Sequence, residues 1–130
     1  MREIKFRALD MRTRKWVPRT EILSKQPMGN RGELYEKAPW FVLMQYIGLK
    51  DKSGVEIYEG DIVRVWHYNH AMGALETPDI YEVIFGKNAA FILHNNSVWP
   101  WVGFDEAGFS KYEVIGNIHE TPELLEAHNA

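Results

Sequence analysis

Gln45 to Val65 reads QYIGLKDKSGVEIYEGDIVRV, and its apolar and β-branched runs are interrupted twice, first at KDKSG and then at YEGD. Asp, Ser and Gly in the first interruption tolerate a positive φ or bond to their own backbone, as a hairpin loop requires. Gly60 supplies a second turn of the same kind. The stretch therefore predicts three consecutive antiparallel strands. The residues expected to point into the interior are Ile57, Ile62, Val63 and Val65.

Short strands separated by turn residues are predicted on both sides of this stretch. Apolar and polar residues alternate over 3–9 and 80–85, which is the pattern of half-buried strands. Asn95-Asn96 predicts a tight hairpin turn, because Asn tolerates left-handed backbone. Gly116 predicts a bulge or bend in the last strand. The remaining predicted strands are 16–17, 40–47, 55–58, 62–68, 90–94, 97–104 and 112–118.

Two long connections and one short helix complete the prediction. Residues 24–39 and 69–79 are rich in Gly, Pro or polar residues, so both are expected to be loops. Thr121 followed by Pro122 is a typical helix start, and the helix is expected over about 122–128. Many short strands with a single short helix indicate a mainly β chain, a small β-barrel formed by one domain over residues 1–130.

The composition excludes several classes of protein. The chain is 45% hydrophobic and 25% charged, which is ordinary for a soluble globular protein. It contains no cysteine, so disulfides, thiol catalysis and thiolate metal sites are excluded and a cytoplasmic location is expected. The longest apolar run, around WFVLM, is far shorter than the roughly 20 residues of a membrane helix. We therefore expect no membrane association.

Charge is distributed unevenly along the chain. Residues 1–37 contain 10 Lys and Arg against 5 Asp and Glu, a net of +5, whereas residues 38–130 contain 5 against 13, a net of −8. The basic segment could bind nucleic acid, or it could lie against the acidic remainder of its own fold or of a neighbouring subunit. Contact with a neighbouring subunit predicts a homo-oligomer. The residues of the nucleic-acid alternative are Lys5, Arg7, Arg12, Arg14, Lys15 and Arg19.

Candidate catalytic and metal-binding groups all have an ordinary structural interpretation. His67 and His70 are three residues apart, which places them on opposite faces of a strand unless the chain turns by Asn69. The acid pairs Glu59/Asp61 and Asp105/Glu106 could hold Mg²⁺ for phosphoryl chemistry, but Asp beside Gly is also the usual turn residue. We therefore predict no catalytic residue, metal or cofactor, and a metal-dependent nuclease is the third hypothesis.

Aromatic pairs are the best candidates for a recognition surface. Trp99 and Trp101 are two residues apart, and so are Trp66 and Tyr68. In an extended segment this spacing puts both rings of a pair on one face. Exposed aromatic rings on small β-barrels bind peptides or stack on bases, although one ring of each pair could equally fill the interior.

Three segments together resemble a known family. MREIKFRALD, QYIGLKDKSGVEIYEGDIVRV and YEVIGNIHETPELLE are similar in order and spacing to the YopX family of phage and prophage proteins. The resemblance implies an SH3-type β-barrel core, a bacterial or phage source and a tendency to self-associate, and it implies no reaction. The expected function is a non-catalytic binding module that acts as a phage accessory protein in the bacterial host. Its partner would be an unidentified phage or host protein.

Overall fold

The computed structural model describes residues 5–18, 40–86, 90–95, 101–105 and 108–125. The chain divides into two compact units, Met1–Tyr46 and Ile47–Ala130. The described part is mainly β, as predicted. The strands are β1 Phe6–Asp10, β2 Lys15–Trp16, β3 Phe41–Lys50, β4 Glu56–Tyr58, β5 Asp61–Trp66, β6 Tyr68–Asn69, β7 Ala74–Leu75, β8 Asp79–Phe85, β9 Phe91–His94, β10 Trp101–Val102 and β11 Lys111–Asn117.

In the first unit, β1 is the central strand. It pairs antiparallel with β2, where Leu9 lies opposite Trp16, and with the first half of β3, where Ala8 lies opposite Leu43. Ala8, Leu43 and Phe41 are almost fully buried and form the core of this unit. Phe6, Val17 and Trp40 pack around them.

In the second unit, five antiparallel strands form one sheet in the order β10-β9-β8-β5-β11. One face of this sheet packs on the core, so alternate residues such as Tyr81, Val83 and Leu93 are at most 3% exposed. Fully burying a side chain of this kind stabilises a fold by about 1.5–3 kcal/mol. The predicted interior residues of β4 and β5 are confirmed: Ile57, Ile62, Val63 and Val65 have no exposed surface.

Both predicted turns of the opening stretch are present. Gly54 and Gly60 adopt positive φ angles of 84° and 87°, which other residues adopt only with strain. The Gly60 N–H donates to the carbonyl of Val83 at 2.8 Å, and the Gly60 carbonyl accepts from the Ile118 N–H at 2.9 Å. The second turn is therefore held between β8 and the residues that follow β11.

Asp51 attaches the first turn to the sheet. Its Oδ1 accepts the backbone N–H groups of Ser53 and Val55 at 2.8 and 2.9 Å, and its Oδ2 accepts that of Val114 at 3.0 Å. The Lys52 N–H donates to the Tyr112 carbonyl at 2.9 Å. Burial by itself raises the pKa of Asp51, but the three backbone hydrogen bonds outweigh it and the pKa is lowered. The turn thus occupies the outer edge of β11.

Three strand predictions were wrong in pairing, register or extent. The predicted three-stranded meander is incomplete, because β4 pairs with β3 whereas β5 pairs with β8 and β11 in a different sheet. His94 pairs with Trp101, so six residues connect β9 to β10, and the two-residue turn at Asn95-Asn96 does not occur. The strand predicted to continue from Ile62 to Tyr68 is interrupted at His67, and β6 pairs with β7 in a separate two-stranded ladder. This ladder lies within the region predicted as a loop at 69–79. Sequence alternation alone does not determine which strands pair.

The end of the described chain follows the prediction in part. The register of β11 shifts between Val114 and Gly116, which confirms the bulge. Residues 123–125 are helical; residues 126–128 of the predicted helix and the whole predicted loop 24–39 lie outside the described residues. The Thr121 hydroxyl contacts the backbone of Asn117 instead of capping the helix. A Cβ at Gly116 would overlap this hydroxyl and lie 2.9 Å from Leu124 Cδ1.

Candidate functional site

Three rings from two separate segments meet beside the β6–β7 hairpin. Tyr68 and His70 have ring centroids 4.9 Å apart, and Phe109 lies 5.2 Å from Tyr68 and 5.4 Å from His70. The Tyr68 N–H donates to Ser110 Oγ at 3.0 Å, so β6 is attached to the segment that contains Phe109. Edge-on and tilted contacts at these distances are favourable for aromatic rings.

The hairpin itself adds exposed apolar side chains. Leu75 lies opposite Tyr68 in the ladder and is 44% exposed, Met72 at the tip is 76% exposed, and Phe109 is 51% exposed. The tip is closed by the Asn69 side chain, whose Oδ1 accepts the Met72 N–H at 3.1 Å. We call Tyr68, His70, Met72, Leu75 and Phe109 the hairpin patch. A surface cavity of about 410 Å³ adjoins it along the hairpin.

His67 and His70 point to different partners. His67 Nε2 lies 3.1 Å from the Tyr81 hydroxyl, and Tyr81 is buried, which raises the pKa of its phenol. His70 belongs to the hairpin patch instead. Among the residues that the structure describes, no three His, Asp or Glu side chains are placed to share a metal ion.

Of the two predicted aromatic pairs, the structure describes Trp66 and Tyr68. Trp66 ends β5 opposite Lys111, whereas Tyr68 belongs to the β6–β7 ladder. The strand breaks at His67 between them, so the two residues belong to different ladders, and their common recognition surface stays a prediction. Trp99 and the side chain of Trp101 lie outside the described residues, so that pair stays a prediction.

Two acids of the nuclease hypothesis, Asp61 and Asp105, accept hydrogen bonds within turns. Asp61 is 1% exposed, and its Oδ2 accepts the Tyr58 N–H at 2.8 Å. Asp105 Oδ2 accepts the Ser110 N–H at 2.8 Å. Glu106 lies outside the described residues. These contacts match the structural interpretation of Asp beside Gly.

Several basic residues of the first unit lie over aromatic rings. The charged groups of Lys5, Arg7 and Arg12 are 4.8, 4.6 and 4.0 Å from the ring centres of Tyr46, Trp16 and Trp40 respectively. Such contacts are worth about 0.5–1 kcal/mol when exposed. Arg12 also pairs with Asp10 at 3.1 Å, which lowers the pKa of that carboxyl.

The other three residues of the nucleic-acid alternative have no common arrangement. Arg14 has a positive φ of 60° and contacts the Met11 sulfur at 3.7 Å. Lys15 is exposed in β2, and Arg19 lies outside the described residues. The basic segment is thus built partly into the first unit through its own aromatic residues.

Sequence patterns missed Phe109 and His70 as members of a surface cluster. The rings are brought together by the hydrogen bond from Tyr68 to Ser110, which spans 42 residues. One feature of the sequence could have indicated Phe109: it stands between Gly108 and Ser110, and a large apolar side chain is unusual among such turn residues.

The fold and the site together define a mainly β protein with an exposed aromatic patch. In the described part of the chain, no helix is long and apolar enough to cross a membrane. The family model of the YopX protein matches residues 5–126, so the chain belongs to the YopX family.

Comparison with solved structures also gives a match over nearly the whole chain. The chain is similar to the crystal structure of protein EF1440 from Enterococcus faecalis, with 27% sequence identity and a TM-score of 0.58 over 96% of this chain and 99% of that one. No curated protein matches the chain.

Proposed function

We propose that this YopX protein is a non-catalytic binding module that associates with copies of itself and with a protein partner through the hairpin patch. The observation that carries the proposal is the exposure of Met72, Leu75 and Phe109 beside two further rings. Aromatic residues and Met are enriched at protein interfaces, and a few of them usually supply most of the binding energy. A flexible Met side chain can also adapt to differently shaped partners.

The position of the hairpin patch favours a contact with protein. The β6–β7 ladder has two strands and is separate from the five-stranded sheet, so it presents its side chains without disturbing the core. Met72, Leu75 and Phe109 carry no charge, and burying them against a partner removes apolar surface from water. Exposed apolar clusters of this kind mark interaction sites.

The finer features of the proposal come from the family and the sequence. We propose a small β-barrel of the SH3 type, which the family resemblance implies and which the mainly β, antiparallel sheet of the second unit supports. We also propose a phage or prophage origin and a cytoplasmic location in the bacterial host, with a phage or host protein as partner. The nucleic-acid alternative through the basic segment is weakened by the contacts of Arg7 and Arg12 with Trp rings.

Sedimentation velocity at micromolar concentration tests the self-association. The native chain should sediment as an oligomer, and the double variant Met72→Ser/Phe109→Ser should shift toward monomer. Val55→Ser is the matched control, because Val55 is 49% exposed and lies outside the hairpin patch. A monomeric native chain, or an equal shift in the control, would refute association through the patch.

Capture from host lysate with the same variants tests the binding of a protein partner. Partners retained by the native chain and by Val55→Ser should be lost from Met72→Ser/Phe109→Ser. Partners that the double variant retains would contradict binding through the hairpin patch. Melting temperatures of the three proteins establish that each of them is folded.

A further inference from the structure

A basic pocket lies in the second unit, lined by residues other than those of the hairpin patch. It has a volume of about 230 Å³ and is formed where the first turn meets the start of β11. This volume is below the roughly 300–1,000 Å³ of sites that enclose a drug-sized molecule. It suits one small group of a larger ligand. Its charged lining residues are Lys50, Lys52, Lys111, Asp51 and Asp105.

The two carboxylates in the pocket are directed to backbone N–H groups. Asp51 accepts three of them and is only 8% exposed. Asp105 accepts the Ser110 N–H. Backbone N–H groups thus stabilise both carboxylates in their charged form, and three lysines against two carboxylates give the lining a net charge of +1.

All three lysines, Lys50, Lys52 and Lys111, are exposed at the surface. The Lys52 ammonium lies 4.7 Å from the centre of the Trp66 ring and 3.7 Å from Glu113 Oε2. Glu113 also pairs with Arg64, at the shorter distance of 2.6 Å. Lys52, Arg64 and Glu113 together therefore have a net positive charge.

Two hydroxyl groups belong to residues that line the pocket. Tyr112 accepts the Asp105 N–H at 2.6 Å, and Ser110 Oγ accepts the Tyr68 N–H at 3.0 Å. In each group the oxygen serves as acceptor, which leaves the hydroxyl hydrogen for a further partner, and both residues are 8% exposed. Burial raises the pKa of Tyr112, so its phenol is protonated at neutral pH.

The geometry points to a phosphate-binding site formed by Lys50, Lys52 and Lys111, with Ser110 as a hydroxyl donor. Lysine ammonium groups bind phosphate as point charges, and hydroxyl groups complete the hydrogen bonds to its oxygens. The phosphate could belong to the backbone of a nucleic acid or to free inorganic phosphate. This site is separate from the basic residues of the first unit.

Amide chemical shifts measured by NMR test the proposal. Sodium phosphate and, separately, a short thymidine oligonucleotide are added at constant ionic strength set with sodium chloride. Either ligand should shift the Gly108, Ser110 and Lys111 amides in a saturable way. A response to the oligonucleotide alone identifies a phosphodiester as the ligand, and a response to phosphate identifies the free anion.

Charge-removing variants locate the binding. Lys50→Ser/Lys111→Ser should weaken the binding about ten-fold, since two exposed charge contacts together give a factor of this size. Lys15→Ser, an exposed lysine of the first unit, should leave it unchanged. Two outcomes overturn the inference: neither ligand shifts these amides, or the double variant binds as tightly as the native chain. Equal melting temperatures establish that both variants fold.

Discussion

Replacing Asp51 by Ala tests how the first turn holds the sheet. The substitution removes the acceptor for the backbone N–H groups of Ser53, Val55 and Val114. Hydrogen bonds to a charged acceptor contribute about 1.5–3 kcal/mol each. Ser53 and Val55 are exposed, so water can replace part of their loss. We therefore expect the free energy of unfolding to fall by about 2–4 kcal/mol, a large part of the roughly 5–15 kcal/mol of a typical domain.

Urea unfolding followed by tryptophan fluorescence measures this loss. Ser53→Ala is the matched control, because it lies in the same turn and keeps the backbone N–H that Asp51 accepts; it should change stability by less than about 0.5 kcal/mol. Asp51→Asn keeps one carbonyl acceptor, so its free energy of unfolding should lie between those of Asp51→Ala and Ser53→Ala. If Asp51→Ala is as stable as Ser53→Ala, the carboxylate does not hold the turn to β11.

The same variant has a defined pH dependence. The pKa of Asp51 in the folded chain is lowered from its ordinary value of 3.8. The stability that the Asp51 carboxylate contributes is therefore fully present above pH 3.8 and is lost as the pH falls through the folded pKa. The difference in stability between the native chain and Asp51→Ala should therefore narrow below about pH 4. A difference that stays constant down to pH 2 would contradict this account.

Further predictions concern packing, charge and association. Gly60→Val should lower stability by about 1–3 kcal/mol through backbone strain at positive φ, and urea unfolding measures it. Gly116→Ala should lower the melting temperature because its Cβ would overlap Thr121; Gly103→Ala, where a Cβ meets nothing within 4 Å, is its control. Burial raises the pKa of Glu82, so the folded chain favours the protonated acid and loses stability as the pH rises and this group ionises. Glu82→Gln should therefore become more stable relative to the native chain between about pH 4 and pH 7. A difference in unfolding free energy that does not change over this range would contradict the account. Raising salt should shift the oligomer toward monomer in sedimentation if charge complementarity contributes, and no shift would exclude that contribution.

The features that were predicted correctly are those encoded by neighbouring residues. The turns at Gly54 and Gly60 need only a local positive φ, and β4 and β5 follow from short apolar runs. The bulge at Gly116 was also a local signal. Family membership could be recognised because three such local patterns occur in a fixed order.

Long-range pairing accounts for what was missed. The pairing of His94 with Trp101 depends on how β10 fits beside β9, and an Asn-Asn dipeptide does not encode it. At the break, His67 contacts Tyr81, 14 residues later, and this contact is likewise not encoded in the local sequence. The hairpin patch and the basic pocket both depend on how the chain near residue 110 is placed. No spacing rule within a single segment relates Phe109 to Tyr68 or Lys111 to Lys52.

The turn at Asp51 also has a consequence for solubility. A strand at the edge of a sheet exposes N–H and C=O groups that can pair with another chain and begin aggregation. On the outer side of β11, the Tyr112 carbonyl and the Val114 N–H are instead occupied by Lys52 and Asp51 of the same molecule. The protein thus blocks sheet extension at this edge with a hairpin turn, and fibril growth there would first require that turn to detach.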